Sequence, residues 1–162
     1  IFNDSNFPDL NGDLLINCLE NFKMPPGRGE ILSLNKFKII DDSYNANPES
    51  VKAALDHLSG FQECRKFFVF GDMKELGANE EILHKKVGQY AVGKTDILLT
   101  VGKLAKNAQS NSNNFALSLH FNDNFSLLEK LNELLTDGDI VLIKGSRSMQ
   151  LDQLINELKN VK

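Results

Sequence analysis

Cysteine is scarce in this sequence. Cys18 and Cys64 are the only two, they lie far apart, and neither belongs to a CxxC pair. Neither a disulfide framework nor a cysteine-rich zinc site is suggested, and the usage suits a reducing cytosol. Clustered positive charge is missing as well: 18 Lys and Arg stand against 22 Asp and Glu, for a net charge of -4. Nucleic acid and anionic membrane surfaces are held by clustered cations, so neither is an expected partner. Apolar runs stop at about five residues, far short of the roughly 20 that a membrane-spanning helix needs. The first residues also lack a signal-peptide pattern, so the expectation is an unexported, cytoplasmic chain.

What is present suits one core. A chain of 162 residues can bury about 70% of its unfolded surface as a single domain. Its first 26 residues carry one helical pattern, Leu10-Leu14-Leu15-Cys18-Leu19-Phe22, which ends at Pro25-Pro26 and the Gly27-Arg28-Gly29 turn. That helix finds no obvious partner and looks like the tail of a preceding domain. Glu30 to Leu34 and Phe37 to Asp41 read as strands joined at Asn35-Lys36, a two-residue hairpin turn. From there extended and helical patterns alternate. The strands are Lys66 to Phe70, Ile97 to Val101, Ala116 to Phe121 and Ile140 to Ile143. The helices are Pro48 to Ser59, Glu80 to Val92, Phe125 to Leu135 and Met149 to Leu158. Gly102 to Ala108 reads as a turn and short helix, and the polar tract Asn107 to Asn114 as a surface loop. The fold class expected is α/β: a Rossmann-like, doubly wound, mostly parallel sheet of about six strands with an antiparallel N-terminal hairpin.

The chain is organised around Ile39-Ile40-Asp41-Asp42-Ser43-Tyr44-Asn45-Ala46-Asn47-Pro48. A strand here runs into two carboxylates, a polar loop and a helix. Open α/β sheets hold ligands beyond the carboxyl ends of their strands, which points Asp42, Asn45 and Asn47 at whatever binds. Asn47 before Pro48 serves equally well as a helix N-cap. Two adjacent carboxylates repel one another, so at least one should face a cation, a hydroxyl pair or another donor. Asp72 and Glu75 follow the next strand, either on the same edge as Asp42 or as part of a solvated loop. Lys144-Gly145-Ser146-Arg147-Ser148 leaves the last strand, and its two cations and two hydroxyls suit an anionic group. His57, His84 and His120 have no metal-ligand spacing, read as helix-surface or strand residues, and receive no role.

One motif misleads. Gly88 to Thr95 matches GxxxxGK[ST], but a phosphate loop must follow a strand and open a helix. Here Gly88 lies within a helical pattern and Thr95 precedes a strand. Gly93 is better read as the left-handed residue that ends the helix.

Gly27-Arg28-Gly29, DDSYNANP at Asp41 to Pro48, GDMKELG at Gly71 to Gly77 and KGSRSM at Lys144 to Met149, in this order, resemble the C-terminal domain of a Mur ligase. Among Mur ligases they are most similar to the type that joins D-alanyl-D-alanine to a UDP-N-acetylmuramoyl tripeptide in peptidoglycan synthesis. The resemblance covers about residues 20 to 162. It implies that residues 1–29 are the tail of a central ATPase domain plus a linker, and residues 30–162 the C-terminal domain. It implies ATP as substrate, with Arg28, Asp42, Asn45 and Asn47 on the nucleotide and Asp42 at its ribose. Lys144, Ser146 and Arg147 would then receive the incoming dipeptide, with nucleotide phosphates as the competing partner for Lys144. Magnesium ligands and the phosphate loop are expected in the central domain, so the fragment alone should be inactive. A receiver-like phosphoacceptor domain, suggested by the acidic pair, Asp72 and Lys144, is the alternative from another class, with a non-catalytic binding module as a third. Receivers follow their lysine with proline, whereas Gly145 follows Lys144 here.

Overall fold

The computed structural model describes residues 25–160 together with residues 12, 16, 17 and 21. The helix expected over residues 10 to 22 lies largely outside the described residues, as does Cys18. Six strands form one sheet: β1 (Glu30–Ser33), β2 (Lys38–Asp42), β3 (Lys66–Gly71), β4 (Ile97–Val101), β5 (Leu117–Phe121) and β6 (Ile140–Lys144). Their spatial order is β1-β2-β6-β3-β4-β5. Only the β1-β2 pair is antiparallel, and Asn35-Lys36 makes its turn, closed by Leu34 N donating to the Phe37 carbonyl at 3.0 Å. The other four pairings are parallel.

Among the described residues, four α-helices cover the sheet: α1 (Pro48–Ser59), α2 (Glu80–Ala91), α3 (Asn124–Leu134) and α4 (Leu151–Asn160). β3 shows why its sequence is apolar throughout. Phe68 and Phe70 point into the core under α1 and α2, while Phe67 and Val69 point into the core under α3 and α4. A strand buried on both faces has no side left for polar residues. β6 behaves likewise, with Leu142 on the first face and Val141 and Ile143 on the second. Because the chain winds outward from β2 past β3 to β5 and then returns to place β6 between β2 and β3, the winding reverses there. That reversal is where a doubly wound sheet opens its crevice.

Two expectations are corrected. The tract read as a surface loop, Asn107 to Asn114, continues the short helix expected up to Ala108 as a 3-10 segment over Ala105–Asn114, with Ala105 and Ala108 fully buried. It packs on α2 so closely that a Cβ on Gly88 would stand 1.8 Å from the Ala108 carbonyl oxygen. The helix expected from Met149 begins instead at Leu151, after a separate 3-10 turn at Arg147–Met149 and a left-handed Gln150 (φ 52°). The phosphate-loop match is a coincidence of letters. Gly88 is inside α2, Gly93 adopts φ 76° just past the helix end, and Thr95 Oγ1 is tied to the Lys66 carbonyl at 2.7 Å. Among the described residues no helix is long and apolar enough to cross a membrane.

Candidate functional site

Parallel pairing carries the ends of β2, β6 and β3 to one edge. Asp42 stands beside Lys144 in the register, and Lys144 beside Phe70, which leads into Gly71 and then Asp72. The Lys144 side chain is only 2% exposed, and its ammonium donates to Asp42 Oδ2 at 2.6 Å and to the Asn45 carbonyl at 2.9 Å. A buried ammonium needs such partners, since desolvation alone would be costly. Asp41, pointing the other way along the pleat, is satisfied separately: its Oδ1 accepts from Ser43 N at 3.1 Å and Ser43 Oγ at 2.6 Å. Each carboxylate of the pair therefore has its own donors. Burial pushes the Asp42 carboxyl above its ordinary value and Asp41 adds to the rise, while the hydrogen bond and charge of Lys144, and then Arg28, oppose it.

Arg28 arrives from the opposite side of this loop. Gly29 N donates to the Asp41 carbonyl at 2.7 Å and Tyr44 N to the Gly27 carbonyl at 3.0 Å, so the Gly-Arg-Gly turn is laced to the strand end. The flanking glycines take φ 74° and 84°, which lets the backbone fold back this tightly. The Arg28 guanidinium lies 4.2 Å from the centre of the Tyr44 ring, a contact that restricts where the cation can point. A cavity of about 210 Å³ is lined by Arg28, Asp42, Tyr44, Asn45, Asn47 and Lys144, among others. Asn45 spends its side-chain oxygen on Ala46 N at 2.8 Å. Asn47 completes a capping box, accepting from Ser50 N at 2.8 Å while its own N–H donates to Ser50 Oγ. The capping role is thus real, and it leaves Asn47 on the cavity wall.

Ser146 and Arg147 lie in an adjoining cavity of about 340 Å³ with Tyr44, Asn45, Lys74, Glu75 and Ser148. Ser146 is buried, its hydroxyl accepting from Lys74 N at 2.8 Å and its N–H donating to the Asp72 carbonyl at 2.9 Å. Arg147 is exposed and pairs with Asp152 at 2.9 Å. Of the residues expected at the acceptor, then, Ser146 and Arg147 share one cavity, whereas the Lys144 ammonium is directed at Asp42 in the other.

Asp72 is not solvated. It is 3% exposed, with Oδ1 accepting from Leu104 N and Ala105 N and Oδ2 paired to Lys74. This carboxylate anchors the 3-10 segment and is not the free group a receiver-type phosphoacceptor requires. His84 is also corrected from helix surface to fully buried. Its Nε2 accepts from Met73 N at 2.8 Å and its Nδ1 lies 2.6 Å from the Glu80 carbonyl, which only the neutral Nδ1-H tautomer satisfies. The sequence also gave no reason to single out Tyr44 and Lys74. Their signal was position alone, Tyr44 between the acidic pair and the helix, and Lys74 two residues past Asp72.

Burial pushes the His84 imidazole below its ordinary value, against weaker opposing effects from the Glu80 carbonyl and Asp72. With the folded value below the unfolded value of about 6.5, the unfolded chain takes up protons first. Its contribution to stability is complete above about pH 6.5 and is lost as pH falls through the depressed folded value. Urea midpoints should therefore drop from pH 7 to pH 5, and the drop should be shallower in His84→Gln. Equal slopes in the two proteins would remove His84 as the cause.

The chain is similar to known proteins over most of its length. Residues 27–147 match the family described as Mur ligase, glutamate ligase domain. The chain is 35% identical over 149 residues to UDP-N-acetylmuramoyl-tripeptide--D-alanyl-D-alanine ligase of Bacillus subtilis (strain 168), an alignment covering 86% of this chain and 32% of the relative. In three dimensions it is similar to the MurF ligase of Thermotoga maritima solved with ADP (TM-score 0.79, 26% identity, 90% of this chain, 33% of that one). MurF of Acinetobacter baumannii gives TM-score 0.82 at 26% identity, over 94% of this chain and 34% of that one. The chain thus spans about a third of the length of the relatives it matches. A family match over residues 27–147, beside a relative 35% identical over 86% of the chain, leads to one conclusion: this chain belongs to the Mur ligase family and carries its glutamate ligase domain.

Proposed function

We propose that residues 30–162 are the C-terminal domain of an ATP-dependent ligase that adds D-alanyl-D-alanine to a UDP-N-acetylmuramoyl tripeptide in peptidoglycan synthesis. Residues 1–29 are, in this reading, the tail of the central ATPase domain and the linker. The tripeptide carboxylate is activated by phosphoryl transfer from ATP, and the dipeptide amine displaces phosphate to form the amide. ATP and a UDP-linked substrate make the setting cytoplasmic.

The observation that carries the reading is the Asp42–Lys144 pair beside Arg28. An ionised carboxylate accepts from the vicinal hydroxyls of a ribose, and the Lys144 ammonium favours that ionised form against the burial that raises the Asp42 carboxyl. Arg28, restrained by Tyr44, supplies charge toward phosphate. Asn45 and Asn47 complete the nucleotide side, and Ser146 and Arg147 the dipeptide side. A volume of about 210 Å³ suits a ribose-sized part of ATP, since sites for larger ligands run from about 300 Å³ upward. The rest of the nucleotide then belongs to the central domain, together with magnesium. Among the described residues no three His, Cys, Asp or Glu side chains group as metal ligands.

The full-length protein should release ADP only when ATP, the UDP-linked tripeptide and D-alanyl-D-alanine are all present, and residues 30–162 alone should release none. A full-length protein that consumes ATP without regard to the dipeptide would contradict this reading.

A further inference from the structure

The loop after β3 is fixed more firmly than a solvated connection requires. Three successive residues are pinned to three different elements. Asp72 Oδ1 accepts from Leu104 N and Ala105 N at 2.9 and 2.8 Å, Met73 N donates to buried His84 at 2.8 Å, and Lys74 N donates to Ser146 Oγ at 2.8 Å. The next residue, Glu75, has φ 63°, a left-handed backbone that strains any residue with a side chain. Strain held in place by buried hydrogen bonds gathers at functional sites. Here it sets Lys74 and Glu75 side by side on the wall of the cavity of about 340 Å³ that also holds Arg147.

The chemistry of that wall is specific. It offers two cations, Lys74 and Arg147, and a single carboxylate, Glu75. Lys74 is held by Asp72 at 2.9 Å and Arg147 by Asp152 at 2.9 Å, one contact each, which leaves most of their donors free. Glu75 enters no ion pair among the described residues. A free dipeptide carries an ammonium at one end and a carboxylate at the other, and an interface of opposite charges fixes its direction. Resting on the ligase reading above, we propose that the loop after β3 is the second wall of the acceptor site. Lys74 shares the dipeptide carboxylate with Arg147, and Glu75 meets its amino end. The wall adjoins the nucleotide side through Tyr44 and Asn45, which line both cavities.

The test is steady-state kinetics of the full-length ligase with D-alanyl-D-alanine and with its C-terminal amide, which keeps the amine and lacks the terminal charge. Lys74→Met should raise KM for the dipeptide about tenfold, in line with a partly solvated charge-assisted hydrogen bond, and leave KM for the amide unchanged. Glu75→Gln should raise KM for both by a similar factor, and neither variant should move KM for ATP. If Lys74→Met raises KM for dipeptide and amide alike, or for neither, Lys74 does not hold the carboxylate and the subsite is wrong. If the wild-type protein shows no dipeptide-dependent ADP release at all, it is the ligase reading that fails, and the subsite falls with it.

Discussion

Lys144→Met should lower the unfolding free energy of this chain by about 3 kcal/mol, at the lower end of what breaking a buried ion pair costs. Methionine follows the path of the lysine stem and fills similar space, so the loss comes from the partners. Asp42 would keep a charge without its ammonium, and the Asn45 carbonyl would lose its donor. Asp42 retains 20% side-chain exposure, so water relieves part of the penalty. The deficit should also depend on pH. Burial already raises the Asp42 carboxyl, and without Lys144 it rises further above its unfolded value. A group raised on folding is tolerated while protonated and becomes destabilising as pH climbs through its folded value. Denaturant titrations should show the variant falling further behind wild type at pH 8 than at pH 5. A deficit below about 1 kcal/mol at both pH values would mean that the pair contributes little to the fold.

Gly88→Ala should destabilise by about 2 to 3 kcal/mol, although alanine is favoured over glycine by about 1 kcal/mol inside a helix. The added Cβ would meet the Ala108 oxygen at 1.8 Å and its carbonyl carbon at 2.6 Å. Both atoms are backbone and cannot swing aside, so α2 or the 3-10 segment must move. Thermal unfolding measures this directly, and a variant as stable as wild type would show that the two segments do not pack this closely. The same glycine gives the false phosphate-loop match its first letter, and its reason for being glycine lies in packing.

The parts of the fold that read out of the sequence are those where apolar period and partner coincide. KFFVF could only be a strand covered on both sides, and Asn47-Pro48 opened α1 where expected. The later part of the polar 3-10 segment did not read out, because from Asn107 to Asn114 its one buried residue is Ala108, among Asn and Ser. Its partner is a glycine some twenty positions away, and neither residue type carries an apolar signal strong enough to mark burial. His84 was hidden for a similar reason. Its helical position looks peripheral until the β3 loop returns to place Met73 N against it. The site was legible as an edge, since the βα alternation implies parallel strands and the loops after parallel strands share one side whatever their order in the sheet. Side-chain pairings across it were not. Asp42 meets Lys144 over 102 residues of sequence, and Arg65 meets Asp139 over 74, bidentate at 2.9 and 2.6 Å on another part of the sheet. Register decides such pairs, and register is a property of the assembled sheet.

The central claim is that the strand edge around Asp42 is the ribose side of a nucleotide site, and Asp42→Asn tests it while keeping an acceptor for the buried Lys144 ammonium, which loses its counter-charge. Asparagine leaves an oxygen for Lys144 and removes the charge that a pair of ribose hydroxyls would meet. In the full-length ligase, with ATP and D-alanyl-D-alanine varied separately, KM for ATP should rise about ten- to a hundredfold, the equivalent of a hydrogen bond to a charged group. KM for the dipeptide should stay within about twofold of wild type, a difference of under 1 kcal/mol. An unchanged KM for ATP would contradict the account and remove Asp42 from the nucleotide site.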